Sequence, residues 1–158
     1  MPSCSSPVPG RLLMFPMATR HWVDASPNVG SISLGVLNDT NDVGPDMAFG
    51  RELLRLGSSG PIGLIGTALS STSLAVDWKP GGKLWINMMK AISQGIDNAK
   101  SELGLDPVIR GLIWVQGEND GISSKAADAY RSNLEYWIDN NDDYIVTNLG
   151  QRIVFNVP

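Results

Sequence analysis

PIGLIGTAL (residues 61–69) and VIRGLIWV (residues 108–115) are the two stretches on which the fold turns. Both are continuous apolar runs of strand length, and the first is bounded by turn residues. Such runs suit strands buried on both faces of a sheet. Between them Leu84, Met88, Ile92, Ile96, Ala99 and Leu103 recur at three- and four-residue steps, and Gly104 and Pro107 follow. That is an amphipathic helix with its stop signals. Strand, helix, strand argues for a parallel sheet with right-handed crossovers. Residues 62–68 and 109–115 are therefore expected as adjacent parallel strands, with the helix near 84–103 packed on one face.

Outward from this unit, Pro45 suits a first helical position, Phe49, Leu53 and Leu56 keep helical spacing, and Gly57 is a natural stop. A third helix is expected over about 124–139, with Tyr130, Leu134 and Trp137 on one face. Residues 144–146 and 153–157 read as short strands. Near the start, residues 12–15 read as a strand ended by Pro16, and the rest of residues 1–44, rich in Pro, Ser, Asn and Gly, reads as a long surface loop. No repeat or composition shift divides the chain, so residues 1–158 read as a single domain.

The composition is that of a folded globular protein: 158 residues, 42% apolar and 18% charged. A net charge of −4 with no basic stripe gives no footing for nucleic acid. No apolar run is long enough to span a membrane, and the N-terminus lacks the charged and apolar regions of a signal peptide. One cysteine, Cys4, excludes an internal disulfide. One histidine, His21, leaves a zinc site short of its usual ligands, and Glu118 with Asp120 makes a poor hard-cation site. Neither a P-loop nor a GxGxxG is present, and no cofactor is expected.

In open α/β sheets, ligands bind beyond the carboxyl ends of the strands. One such end here is Ser70-Ser71-Thr72-Ser73 and the other is Gln116-Gly117-Glu118-Asn119-Asp120. If the strands are neighbours, both clusters face one crevice lined by hydroxyls, amides and carboxylates, which suits a hydroxyl-rich ligand such as a sugar. The serines equally suit loop and cap chemistry, and the second cluster equally suits a capped strand-to-helix turn.

Taken in order, VGPDMAFGRELL, PIGLIGTALSSTSL, the dipeptide DW and GLIWVQGEND resemble the SGNH hydrolase branch that contains the sialate O-acetylesterase domain and carbohydrate esterase family six. The match runs over about residues 43–138. The resemblance implies a three-layer α/β/α fold with a mainly parallel sheet, flavodoxin-like and here incomplete. It implies acetyl-ester hydrolysis on a carbohydrate by a serine nucleophile, so the implied partner is an acetylated carbohydrate. It makes Gln116 the oxyanion amide and Ser71 a source of an oxyanion main-chain N–H. Ser70, Thr72, Ser73, Glu118 and Asn119 become substrate-binding residues, and Gly117 keeps the turn free of a Cβ.

The departures are as specific as the matches. The family's Gly-Gln-Ser-Asn-like block and its Asp-x-x-His block have no counterpart, so neither nucleophile nor base is found and the chain reads as truncated at both ends. The family's Gly-Gly is replaced by Ser70-Ser71, and a loop backbone needing positive φ is expected to be strained there. Three readings follow: a carbohydrate O-acetylesterase-type domain, a non-catalytic carbohydrate-binding or interaction domain derived from that fold, or an α/β domain of unrelated function.

Overall fold

The structure, a computed structural model, describes residues 7–16, 19–26 and 45–149. Its elements in chain order are β1 (Leu12–Met14), β2 (Val23–Asp24), α1 (Asp46–Arg55), β3 (Ile62–Leu64), α2 (Lys83–Leu103), a 3-10 turn (Asp120–Ile122) and α3 (Ser124–Leu149). The chain divides into two compact units. One joins Met1–Ser70 to Ala91–Leu105, and the other joins Ser71–Lys90 to Asp106–Pro158. Among the described residues no helix is long and apolar enough to cross a membrane.

The first unit holds a three-stranded mixed sheet in the order β2-β1-β3. β1 pairs parallel to β3, Leu12 opposite Ile62 and Met14 opposite Leu64, and antiparallel to β2, Leu13 opposite Asp24. The strand expected at residues 12–15 is thus present, and Val23–Asp24 adds a strand where a loop was expected. The β3 run is shorter than its apolar stretch. Its parallel neighbour is β1, and residues 108–115 belong to none of the described strands. That corrects the expected pairing of residues 62–68 with 109–115. Apolar runs identify strand-like segments but carry no information on which run pairs with which.

Leu12, Met14, Ala25 and Met47 form the buried cluster of this unit, with Leu54, Ile62 and Leu64 packed against it. Burying each large side chain there is worth about 1.5–3 kcal/mol. α1 therefore faces the sheet with Met47, Gly50 and Leu54. The expected face differs: Phe49 is 42% and Leu56 67% exposed. Gly50 decides the orientation, because a Cβ there would run into the Leu12 side chain. A glycine has no hydrophobic signature, so apolar periodicity selects the wrong stripe. Gly57 ends the helix at φ +102, as its position suggests. Trp22 tilts against Phe15 with ring centroids 5.2 Å apart and donates its indole N–H to the Gly95 carbonyl at 2.8 Å.

In the second unit α3 runs to Leu149, which corrects both the expected end near 139 and the expected strand at 144–146. Trp137, Asn141 and Ile145 recur every four residues, and all three are fully buried. Trp85 donates its indole N–H to Asn141 Oδ1 at 2.7 Å and meets the Tyr144 ring edge-on at 5.2 Å. The β-branched pair Ile145-Val146 has strand propensity, but tertiary burial of the helical stripe outweighs it. The segment 153–157 lies outside the described residues.

Candidate functional site

Residues 71–78 form a tight loop in the second unit. Asp77 closes it: Asp77 Oδ2 accepts the Ser73 N–H at 2.8 Å and lies 3.3 Å from Ser73 Oγ, while the Asp77 N–H donates to the Ser73 carbonyl at 3.0 Å. Trp78 is buried below the loop and donates its indole N–H to Thr72 Oγ1 at 2.8 Å. Its ring stands edge-on to Trp114 at 5.6 Å, and Trp114 lies tilted against Trp137 of α3 with ring centroids 4.3 Å apart. Trp78 thus links the loop through Trp114 to Trp137 of α3.

The other wall begins where residues 108–115 end. Residues 117–122 fold back on themselves, the Gly121 N–H reaching the Gly117 carbonyl at 2.9 Å. That reversal brings the side chains of Gln116 and Asp120 together. Gln116 Nε2 donates to Asp120 Oδ2 at 2.6 Å and to the Thr72 carbonyl at 3.0 Å. Two acceptors around one nitrogen fix the amide's orientation. Tyr130 of α3 donates its hydroxyl to the Gln116 carbonyl and accepts the Trp114 indole N–H at 3.2 Å. Gly117 sits at φ +154, a backbone conformation that favours glycine, while the Tyr130 ring, 3.5 Å from where a Cβ would stand, leaves ordinary contact distance.

Asp120 ties the two walls together. Its Oδ2 also accepts the Leu74 N–H at 2.9 Å, and its Oδ1 accepts the Ala75 N–H at 3.1 Å. The residue is 1% exposed. Burial pushes its carboxyl up, but the bonds from Gln116, Leu74 and Ala75 outweigh that and hold it below the ordinary 3.8.

Of the residues singled out from sequence, Ser71, Thr72, Ser73, Gln116, Glu118 and Asn119 all belong to this unit. Thr72 and Gln116 are in direct contact. Ser71 is exposed and sits at φ +61, a left-handed conformation that a serine adopts only under strain. Glu118 is exposed and its Oε2 accepts the Gly117 N–H at 3.1 Å, bracing its own turn. Ser70 is exposed and is the last residue of the first unit's opening segment. His21 lies in the first unit, its Nδ1 2.7 Å from Glu102 Oε1. Among the described residues no group of three candidate metal ligands comes together.

Sequence reasoning gives Asp120 no role beyond a place in the polar cluster and a poor cation site, and passes over Tyr130 as a functional residue. An aspartate at the end of a polar cluster just before a helix reads as a cap. The cap of α3 is instead Ser123, whose Oγ accepts the Ala126 N–H at 3.2 Å, and Asp120 is left to hold a loop 45 residues earlier. Tyr130 reads as part of an apolar stripe because nothing local marks its hydroxyl.

No curated protein matches the chain. A crystal structure of a protein from Arabidopsis thaliana is similar to it at 25% identity, with a TM-score of 0.72. The match covers 98% of this chain and 60% of that one, so the chain spans about three-fifths of that relative's length. The profile of the family described as SASA, carbohydrate esterase, sialic acid-specific acetylesterase, matches residues 1–149, which include every residue of the two walls. A likeness reaching over both motif loops and nearly the whole sequence settles the kinship: the chain belongs to the sialic acid-specific acetylesterase family of carbohydrate esterases.

Proposed function

We propose that this domain binds acetylated carbohydrate and presents the acetyl carbonyl to Gln116 and the Ser71 main-chain N–H. The observation that carries this reading is the Gln116–Thr72 bond, which joins the two polar motif loops in one unit. In acetyl-ester hydrolysis the carbonyl oxygen becomes an oxyanion, and preorganised N–H donors aimed at it contribute the largest single share of rate. Ser71 is exposed and held in a turn that leaves its backbone near the surface. Thr72, Ser73, Glu118 and Asn119 supply hydroxyl, carboxylate and amide groups for sugar hydroxyls, with Ser70 beside them in sequence.

One observation favours the second reading, a carbohydrate-binding domain without catalysis. Both hydrogens of the Gln116 amide are already taken, by Thr72 and by Asp120. An oxyanion must displace the neutral Thr72 carbonyl to gain a donor, whereas Gln116 Oε1, 3.4 Å from the Tyr130 hydroxyl, keeps a further lone pair for ground-state recognition.

The test common to both readings is titration of the chain with an O-acetylated monosaccharide and with its deacetylated parent, followed by tryptophan fluorescence. Trp78 is bonded to Thr72 of the loop and Trp114 packs edge-on against Trp78, so occupancy should change their emission. Saturable change with the acetylated sugar and a clearly weaker response to the parent is the expected result. Equal responses, or none, would exclude the acetyl group as the feature recognised.

A further inference from the structure

We propose that Asp120 is the positioning residue of this site, a buried anionic peg that sets Gln116 and the Thr72–Ala75 backbone in one fixed relation for the acetylated ligand. The inference rests on the acetylated-carbohydrate reading above. Three donors converge on its two oxygens: Gln116 Nε2 at 2.6 Å, Leu74 N–H at 2.9 Å and Ala75 N–H at 3.1 Å. The two loops are more than forty residues apart in sequence, and each is also braced on its own side. Asp77 ties the start of one loop to its end, and Tyr130 holds the Gln116 carbonyl. Asp120 is in addition bonded to both.

Its chemistry suits that position. An ionised carboxylate accepts only, so it can satisfy three donors without offering a hydrogen to any of them. Bonds to an ionised acceptor are about twice as strong as neutral ones. An asparagine in its place would keep one accepting oxygen and turn an N–H₂ toward donors, so at least one of the three would lose its partner. By holding one Gln116 hydrogen in the stronger bond, Asp120 leaves the other, on the neutral Thr72 carbonyl, as the one a ligand oxygen can take over. Asp120 itself is 1% exposed, so it acts through Gln116 and the loop backbone.

The experiment compares the 158-residue chain with its Asp120→Asn variant in ¹H–¹⁵N spectra, each titrated with an O-acetylated monosaccharide. In the unsubstituted chain the Gln116 side-chain amide should exchange slowly with solvent, and the signals of Gln116, Leu74 and Ala75 should shift together on adding sugar. In Asp120→Asn the sugar should bind about ten-fold more weakly or worse, the loss expected for one charge-assisted bond, while circular dichroism and the signals of the first unit stay in place. A variant that folds and binds the sugar like the parent overturns the proposal. Should the variant not fold, the unsubstituted chain decides: a Gln116 amide exchanging as fast as a surface glutamine overturns it. A chain that binds no acetylated sugar sinks the substrate reading instead, and the Gln116 exchange rate still judges the peg by itself.

Discussion

Gln116 and Asp120, four residues apart across a reversed turn, meet side chain to side chain at 2.6 Å, and the same carboxylate reaches across to the Leu74 and Ala75 amides. The contact concentrates the site's polar organisation on one buried charge.

The stability this charge contributes should follow pH with a definite sign. The folded Asp120 carboxyl lies below its ordinary 3.8, so its contribution is complete above that value and is lost as pH falls through the folded one. Asp120→Asn should therefore cost about 1–3 kcal/mol near neutral pH. The gap between variant and parent should close on acidification below about pH 4. Asp46 works the other way, because burial pushes its carboxyl up, so its folded form gains on protonation. Melting temperatures of both proteins across the acid range check this. A gap that stays constant to low pH would mean that Asp120 is not the titrating group.

Ser71 occupies φ +61, a conformation that favours glycine. The left-handed region costs a serine about 1–2 kcal/mol, and glycine offsets part of its own relief with greater freedom in the unfolded chain. Ser71→Gly should accordingly raise the melting temperature by about 2–4 °C, read by scanning calorimetry. A drop would show that the serine side chain contributes more than the strain removes.

These two positions mark what the sequence discloses and what it withholds. The strain at Ser71 was legible, because the resemblance sets Gly-Gly at Ser70-Ser71, and a loop needing positive φ strains a serine. The contact of Thr72 with Gln116 was not derivable: the expected crevice rested on residues 62–68 and 109–115 being neighbouring strands, and residues 108–115 belong to none of the described strands. The pairing of β3 with β1 was not, since parallel partners are chosen by three-dimensional packing and Leu12–Met14 is only three residues long. The face of α1 was misread because Gly50, an unremarkable residue in sequence, is the one that lets the helix approach Leu12. Asp120 was visible as a residue and silent as to role, because its partners at 74 and 75 are remote in sequence.

Gly63 should tolerate no side chain. A Cβ there would lie 2.7 Å and 2.8 Å from Trp22 ring atoms, and that ring is rigid and anchored through its indole N–H to Gly95. Gly63→Ala should destabilise the first unit by about 1–3 kcal/mol through overpacking, measured by urea unfolding. Trp22 emission should change in the folded variant as the ring is displaced. An unchanged midpoint would mean that the sheet and Trp22 are free to separate.

Acetate release from an O-acetylated sugar, by the 158-residue chain and by Gln116→Ala, decides whether the Gln116 amide serves as an oxyanion donor. Among the described residues, Ser73 Oγ lies 3.3 Å from Asp77 Oδ2, and His21 pairs with Glu102 in the first unit. Slow release above the buffer rate is expected, as a binding site with oxyanion donors sustains without a triad, at most about 10³-fold over solution. Gln116→Ala should remove most of it, up to the roughly 10²-fold worth of one oxyanion donor, and a serine-directed phosphonate should leave the rate unchanged. Release no faster than buffer, release indifferent to Gln116→Ala, or rapid turnover abolished by a phosphonate attached to Ser70, Ser71 or Ser73 would each overturn that role.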